Sequence, residues 1–390
     1  MATRVDPNFM QELKKYGAVG IEKCFNCGNC TAICPLTSDE YAFPRNMIRM
    51  VQVGQKEKLT HKIDPWLCYY CGDCSDTCPK GAEPGETMMA MRRWLTAQYD
   101  WTGLAKKFYT SDVWEFGSMI LVGLLVVVLA FFLTGPMVTD QVALNTFAPV
   151  EIVHIADWIM AGMLLVLIGG NVLRMFQMVV LKDNDLKIPL SVYFSEAWQL
   201  IVHAATQKRW ADCTADETDE QVKQSKRFSW ITHMLMASGY ALMLVLIIFF
   251  LPWFQTDEVH PIYHPQRWLG YYATIVLLFG AGSALWGRIR KNQQMHRFSH
   301  PSDWIFPILL LIVTLTGILQ HIFRVSGFPL ATYYTYIIHL AFTAPMLILE
   351  VPFGKWAHLY YRPLAIYFQA IRAKAQEIQL ELTAASSAAD

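Results

Sequence analysis

The stretch CFNCGNCTAICP, residues 24–35, shares its cysteine spacing with CYYCGDCSDTCP, residues 68–79. In each stretch, two residues separate each of the first three cysteines from the next. Three residues then separate the third cysteine from a fourth, which is followed directly by proline. This spacing is typical of runs that bind two [4Fe–4S] clusters, where three close cysteines bind one cluster and the fourth binds the other. Zinc sites and disulfide bonds are the alternatives, and a duplicated run without partner histidines favours neither.

The spacing also predicts which cysteines share a cluster. Three thiolates close together in sequence can converge on three corners of one cube, whereas the fourth lies too far along the chain and reaches the neighbouring cube. One cluster is therefore predicted to be bound by Cys24, Cys27, Cys30 and Cys78, and the other by Cys68, Cys71, Cys74 and Cys34. Gly28 and Gly72 would give the backbone room to wrap around each cube.

The segments around the cysteines have helical patterns. PRNMIRMVQVGQKEKL, residues 44–59, predicts a short amphipathic helix that ends in a turn at Gly54, and TMMAMRRWLTAQY, residues 87–99, predicts another helix leading to the rest of the chain. Residues 1–110 are therefore predicted to form an α-helical domain that holds both clusters.

Beyond residue 110 the composition changes from mixed and polar to strongly apolar. Charged residues make up only 16% of the chain and hydrophobic residues 54%, against roughly 25% charged residues in soluble domains. Residues 111–365 are predicted to form a six-helix membrane domain, followed by a tail at 366–390. The predicted spans lie near 114–135, 151–174, 229–252, 268–288, 304–324 and 332–353.

Two connecting segments are too polar to span a bilayer. An amphipathic segment near 190–210 is predicted to lie along the membrane surface. The acidic loop that follows contains Cys213, the one cysteine outside the two runs, which we interpret as an inert thiol. The formal net charge of zero gives no reason to expect nucleic acid as a partner.

Lysine and arginine residues predict the orientation of the spans. They are frequent in the connections 174–227 and 288–303, absent from 136–149, and limited to Arg267 in 253–267. The N-terminus lacks the apolar core of a signal peptide. We therefore predict a multi-pass protein of the inner (cytoplasmic) membrane, with the cysteine domain and the C-terminus in the cytoplasm.

Histidines within membrane spans are functional candidates, because an ionisable side chain is costly to place there. His233 lies near the cytoplasmic end of the third span, and His358 follows the cytoplasmic end of the sixth. His339 lies 19 residues before His358, or about 28 Å along a continuous helix. One helix would thus present a histidine near each face, an arrangement that suits two stacked haems, the inner one bound by His233 and His358.

The outer haem would be bound by His339 with either His154 or His321, and we favour His154. Whichever of the two is not a ligand is a candidate quinone contact, and Asp157 could exchange a proton with the quinone. Met243 is the reserve ligand if neither histidine binds iron. Three further histidines are predicted to lie at the surface: His203, His260 and His264.

The cysteine domain resembles the C subunit of heterodisulfide reductase and its relatives, including the iron–sulfur end of fumarate reductase. Both cysteine runs, the Phe43-Pro44-Arg45 step and Trp66 carry the resemblance. The later spans resemble the cytochrome b (gamma) subunit of respiratory nitrate reductase, through residues 225–240 and HLAFTAPMLILEVPFGKWAHLYYRP, residues 339–363. That family usually has a second histidine where Met243 stands.

The combination of both parts in one chain resembles the membrane subunits of quinone-interacting membrane-bound oxidoreductases. The resemblance implies b-type haems, menaquinone or ubiquinone as substrate, and cytoplasmic flavoprotein subunits as partners, with adenylylsulfate reductase beyond them. A menaquinol-linked heterodisulfide-type reductase subunit is the rival within this class. From another class, the membrane domain could be a haem-free anchor carrying a redox-active domain.

Overall fold

The computed structural model describes residues 4–38, 41–182, 186–212, 219–291 and 293–387. All regular elements within these ranges are helices, and they contain no β-strand. The predicted all-α fold, with six helices long and apolar enough to cross a membrane, is therefore confirmed.

Residues 4–110 form the head, a compact group of helices around the two cysteine runs. Its longest helix, α7, is buried along most of its length and includes the completely buried Trp94, and Phe9, Leu13 and Met47 on other helices are completely buried as well. The amphipathic pattern of residues 44–59 gives a helix as predicted, followed by a turn at Gly54. The helices of the head are α1 Phe9–Lys14, α2 Asn29–Ile33, α3 Arg45–Gln52, α4 Lys56–Thr60, α5 Asp64–Leu67, α6 Asp73–Asp76, α7 Pro84–Tyr99 and α8 Leu104–Thr110.

Six long helices form the membrane bundle. Each exceeds the roughly 20 residues needed to cross the hydrocarbon core, and large apolar side chains such as Phe131 and Leu121 face outward, as lipid contact requires. The spans are α9 Asp112–Leu133, α11 Val150–Phe176 with a π-helical turn to Leu181, α15 Glu220–Phe254, α16 Pro265–Arg290, α18 Pro301–Val325 and α19 Pro329–Pro345, continued by a π-helical turn Met346–Glu350 and α20 Val351–Phe353. The chain is a multi-pass membrane protein.

Short helices connect the spans: α10 Leu144–Phe147, α12 Leu190–Ser195, α13 Trp198–Thr206, α14 Lys208–Asp212 and α17 Gln294–Arg297. A long helix, α21 His358–Ser387, follows the last span. The amphipathic segment near 190–210 is thus three short helices, and α13 packs against α21. The predicted boundary at residue 365 falls inside α21, where Ile366, Phe368 and Ile371 are buried. Cys213 lies outside the described residues.

The prediction that one continuous helix carries both His339 and His358 was wrong. His339 lies on α19, whereas His358 begins α21 after the chain leaves helical geometry at Gly354 (φ −104°, ψ −151°). Proline at 352 and glycine at 354 interrupt the helix, because proline lacks the N–H that an α-helix needs and glycine favours non-helical backbone. The two histidines are therefore positioned by separate elements, and the distance calculated for a straight helix does not apply.

The head packs on one end of the bundle, which we call the head side; the opposite end is the far side. Several separate parts of the membrane domain contact the head. Lys226 lies on the first turns of α15, which begins before the predicted start near residue 229, and its Nζ lies 2.9 Å from Oδ2 of Asp73. Further hydrogen bonds join His61 to Met178, Gln294 to Glu83 and Arg362 to Trp66. The head is thus fixed to the bundle at many points rather than tethered by one linker.

Candidate metal centres

The eight described cysteines line two separate cavities. One cavity is lined by Cys24, Cys27, Cys30 and Cys78. The other is lined by Cys34, Cys68, Cys71 and Cys74. Each cavity therefore combines three cysteines of one run with the fourth cysteine of the other run, which is the crossed grouping expected from the spacing.

The two runs fold into the same local structure. In each, the second residue after the first cysteine is left-handed, Asn26 (φ 61°) and Tyr70 (φ 57°), and the glycine after the second cysteine is left-handed as well. Gly28 and Gly72 then begin the short helices α2 and α6, which pack against each other. The Tyr70 amide donates to Sγ of Cys68 at 3.3 Å, and the Ala82 amide donates to Sγ of Cys78 at 3.3 Å. Such amides stabilise negative charge on sulfur.

None of the eight described cysteines forms a disulfide bond. Among the described residues, no three His, Cys, Asp or Glu side chains are arranged to hold a single metal ion, so the cysteines surround cavities instead of converging on one point. Burial raises the pKa of the Cys30 and Cys74 thiols, and the neighbouring cysteine sulfurs raise it further. Thiolates in this arrangement need a cationic centre between them, which is the chemistry an iron–sulfur cluster supplies.

The two cavities differ in their surroundings. Cys27 is exposed in the first cavity, and the neighbouring Phe25 is 58% exposed, so this cavity opens to the outside of the head. The second cavity faces the bundle, because Gln294 packs on Gly72, where a Cβ would lie 2.6 Å from the Cβ of Gln294. Nη2 of Arg362 also donates to the Cys68 carbonyl at 3.1 Å. The structure therefore orders the cavities from the surface of the head towards the membrane domain.

On the head side of the bundle, His233 and His358 come together. Their ring centroids are 6.3 Å apart. Two imidazoles on opposite sides of one iron would have centres about 6 Å apart, since a metal–nitrogen bond is about 2 Å long. His358 Nδ1 lies 2.7 Å from the Lys355 carbonyl oxygen, so this contact does not involve Nε2. Nδ1 of His233 is a buried nitrogen without a hydrogen-bond partner among the described residues.

An aromatic bridge, Tyr69 and Trp210, lies between the second cavity and this histidine pair. The Trp210 ring is 5.9 Å from the ring of Tyr69, which neighbours Cys68, and 5.1 Å from the ring of His233. Arg362, one turn after His358, lies 4.5 Å from the centre of the Tyr69 ring. Neither Trp210 nor Arg362 was predicted as a site residue, because neither belongs to a recognisable motif.

The prediction that His203 lies at the surface was wrong. His203 is only 9% exposed, because the amphipathic helix α13 packs onto α21 rather than lying free along the membrane. Burial lowers the pKa of His203 to about 4, and the charges of Arg362 and Arg209 lower it further. His203 is therefore a neutral imidazole beside the inner histidine pair.

The three histidines predicted for the outer site make separate contacts. Nδ1 of His339 lies 3.0 Å from the Val313 carbonyl oxygen and 3.1 Å from the Thr316 hydroxyl, which directs Nε2 away from α18. Nε2 of His154 lies 3.0 Å from the Ile248 carbonyl oxygen and 3.1 Å from Nε1 of Trp158.

Both ring nitrogens of His321 lie within 2.8 Å of Nη1 of Arg267, and the Tyr271 hydroxyl lies 3.0 Å from its Nε2. Near His154, Oδ2 of Asp157 is buried and has no hydrogen-bond partner in the described ranges. His260 and His264 stack on each other at 3.9 Å in a far-side loop. The described contacts thus give His321 a polar neighbourhood of its own, separate from His339.

Comparisons with known proteins locate the relationship in the head. Residues 23–82 match the family model for a 4Fe-4S dicluster domain. The chain is 29% identical over 119 residues to a heterodisulfide reductase C-subunit-like protein of Archaeoglobus profundus, an alignment that covers 30% of this chain and 63% of the relative. It is 33% identical over 64 residues to the C subunit of the H(2):CoB-CoM heterodisulfide,ferredoxin reductase of Methanothermobacter marburgensis, covering 16% of this chain and 35% of the relative.

The same reductase component of Methanothermobacter thermautotrophicus matches at the same identity and coverage. This chain thus spans less than two thirds of the length of these curated relatives. No solved structure matches it. The head contains a 4Fe-4S dicluster domain and is similar to heterodisulfide reductase C subunits.

Proposed function

We propose that this chain transfers electrons between a quinone pool and cytoplasmic redox partners, as part of an oxidoreductase complex similar to the quinone-interacting membrane-bound oxidoreductase, in which it would correspond to the C subunit. The observation that carries the proposal is a succession of sites from the head to the bundle: an exposed cysteine cavity, a second cavity facing the bundle, the Tyr69–Trp210 bridge, and the His233–His358 pair. When bound, iron–sulfur clusters and haems supply single-electron transfer.

The chain's own residues would hold these groups and set their environment. The eight cysteines would bind two [4Fe–4S] clusters in the crossed grouping, and His233 and His358 would bind the inner b haem. Two observations fit that role. Among the described residues, Nδ1 of His233 has no hydrogen-bond partner, and the two rings are 6.3 Å apart. The lysine- and arginine-rich connections support a cytoplasmic head in the inner membrane.

For the outer haem we propose His339 together with His154. The hydrogen bonds of His339 Nδ1 leave its Nε2 for a metal, while Arg267 and Tyr271 occupy both nitrogens of His321. His321 is then the candidate quinone contact, because Arg267 and Tyr271 beside it could donate to a quinone oxygen. Asp157 remains a candidate proton donor on the same side of the bundle.

Metal analysis of the purified full chain tests the core of the proposal. We expect about eight irons and eight acid-labile sulfides per chain, and two b haems in a pyridine haemochrome assay. Full iron–sulfur content without haem would instead favour a membrane anchor with a redox-active head. A chain without iron–sulfur clusters would refute the proposal.

Alanine variants of the outer histidines test the assignment on the far side. His339→Ala and His154→Ala should each remove one haem, whereas His321→Ala should keep both haems and slow quinol oxidation. If His321→Ala removes a haem and His154→Ala removes none, the two assignments must be exchanged. If neither substitution affects a haem, Met243 becomes the ligand to test.

The partners implied by the resemblance are flavoprotein subunits and, beyond them, adenylylsulfate reductase. The second candidate is a subunit of a menaquinol-linked heterodisulfide-type reductase, and the names of the curated relatives, which describe heterodisulfide reductase subunits, support its heterodisulfide part. Co-purification of the tagged chain from its native membrane, with identification of the bound subunits and assay of adenylylsulfate and heterodisulfide reduction, separates the two.

A further inference from the structure

A buried network of charged side chains joins the second cysteine cavity to the membrane bundle. The Tyr70 hydroxyl, next to Cys71, donates to Oε2 of Glu86 at 2.8 Å. Arg93 then bridges Glu86 and Asp303, at 3.1 Å and 2.8 Å. Its side chain is 6% exposed, and those of its two partners are 3% and 7% exposed. These three charged side chains are therefore largely shielded from solvent where the head meets the spans.

The network continues to two glutamates inside the spans. Lys355 pairs with Asp303, and its backbone amide donates to Oε2 of Glu350 at 3.1 Å. Glu115, on the first turn of α9, interacts electrostatically with Glu350 and with Asp303. Tyr109, on α8, donates its hydroxyl to the Gly354 carbonyl at 2.8 Å.

Two oxygens at the end of this network have no partner among the described residues. Glu115 and Glu350 are each 1% exposed. Oε2 of Glu115 and Oε1 of Glu350 are buried and, throughout the described part of the chain, accept no hydrogen bond. A buried carboxylate without donors is costly, whereas a protonated carboxyl group removes the charge and gains a donor. The unpartnered oxygens therefore point to a proton as the missing ligand.

The charge balance of the network leads to the same conclusion. Arg93, Lys355 and Arg288 supply three positive charges, and the buried residues Glu86, Asp303, Glu115 and Glu350 supply four carboxyl groups. Asp112 is exposed and its charge is solvated, so it is not counted. One excess negative charge remains when all four are ionised, and a single proton neutralises it. Since Glu86 and Asp303 are directly paired with Arg93, that proton belongs on Glu115 or Glu350.

We propose that Glu115 and Glu350 form a proton-binding site whose occupancy follows the charge on the cluster held by the second cysteine cavity. The proposal rests on the proposed function, because it requires a cluster in that cavity. On reduction, one electron from an added chemical reductant enters the cluster, and one proton from water binds the ionised carboxylate of the pair. Buried charges separated by low-dielectric protein interact strongly, so the added negative charge raises the proton affinity of the pair.

Other titratable and charged groups face this pair from the surrounding helices. His300 is the one that ordinarily titrates near neutral pH, but burial and Arg93 lower its pKa to about 4, so its imidazole stays uncharged near neutral pH. The facing groups are Arg93 and Glu86 on α7, Tyr109 on α8, Asp112 on α9, Arg288 on α16, His300 and Asp303 at the start of α18, Lys355, and Tyr360 on α21.

The midpoint potential of the second cluster, measured against pH by electron paramagnetic resonance on the full chain in detergent, tests the proposal. In the wild type the reduction equilibrium should become less favourable by up to tenfold per pH unit, which is 59 mV for one electron. Glu115→Gln combined with Glu350→Gln should abolish this slope. The control Glu220→Gln, at a side chain that is 88% exposed on the head side, should keep it.

Redox-difference infrared spectroscopy on the wild type gives an answer that needs no variant. Reduction should produce a carboxylic acid C=O band that shifts in heavy water and is missing in both single variants, Glu115→Gln and Glu350→Gln. A pH-independent potential, an unchanged slope in the double variant, or the absence of this band would overturn the proposal. Failure of the proposed function has a different signature, namely a chain that shows no signal from the second cluster.

Discussion

Replacing Arg93 with methionine tests whether the buried charge network fixes the head to the bundle. Methionine keeps most of the volume of the arginine stem but removes the guanidinium, which pairs with Glu86 and Asp303 and donates to the Tyr16 carbonyl at 2.9 Å. Removing one partner of a buried ion pair costs about 3–5 kcal/mol, because the other charge stays buried without compensation. Asp303 retains Lys355, so the main loss falls on Glu86.

We therefore expect Arg93→Met to lower the free energy of unfolding by about 3 kcal/mol, near the lower end of that range. Chemical unfolding of the head in detergent, followed by tryptophan fluorescence, measures it. The matched control is Lys14→Met, which breaks the exposed Lys14–Glu22 pair of the same domain and should cost roughly 0–1 kcal/mol. Adding Glu86→Gln to Arg93→Met should recover much of the loss, because no charge is then left unpaired at that position.

The effect of Arg93→Met should also depend on pH, with a definite sign. Burial raises the pKa of Glu86, and Arg93 opposes that shift. Without Arg93 the folded-state pKa rises further above the unfolded value, so the folded variant loses stability as the pH rises. The difference from the wild type should be smaller at about pH 5 than at about pH 8. If Arg93→Met costs no more than Lys14→Met at either pH, the network does not hold the head in place.

Three further outcomes follow from the sites. Cys78→Ser should damage the cluster of the first run in electron paramagnetic resonance spectra and spare that of the second; the opposite loss would disprove the crossed grouping. His233→Ala and His358→Ala should remove the same haem from the absorption spectrum, and loss of different haems would break the pairing. Because the pKa of His203 is lowered to about 4, the wild type should lose stability as the pH falls below about 6.5. His300 also contributes to that loss, so His203→Gln should reduce it rather than remove it, and equal melting curves for both proteins across this range would contradict the prediction.

The sequence was most informative where a local pattern is itself the physical constraint. The cysteine spacing limits how far a thiolate can reach, so the crossed grouping could be proposed before the cavities were seen. Apolar stretches of about 20 residues predicted six spans, because no water is available in the membrane to satisfy an exposed backbone. The observed helices differ from these predictions mainly at their ends, where α15 extends on polar residues into contact with the head.

Positions that depend on packing between distant segments were not predictable in this way. His203 was placed at the surface because α13 is amphipathic, yet α21 covers it. The break at Gly354 was missed because apolar composition continues through it, although Pro352 and Gly354 carried the signal. Glu115 and Glu350 also carried a signal, since both are ionisable residues in predicted spans, but only the histidines and Asp157 were considered.

The sequence alone therefore determined the all-α class, the two cysteine runs and the six membrane helices, since each depends on residues within about 25 positions of one another or on their spacing. Only the tertiary structure decided that Trp210 stands between Tyr69 and His233, and that Arg93 joins Glu86 to Asp303 across 210 positions of sequence. The physical reason is that a helix pattern records which side of a helix is apolar, but not which other element covers it. Ion pairs and aromatic contacts between elements exist only once the helices have packed.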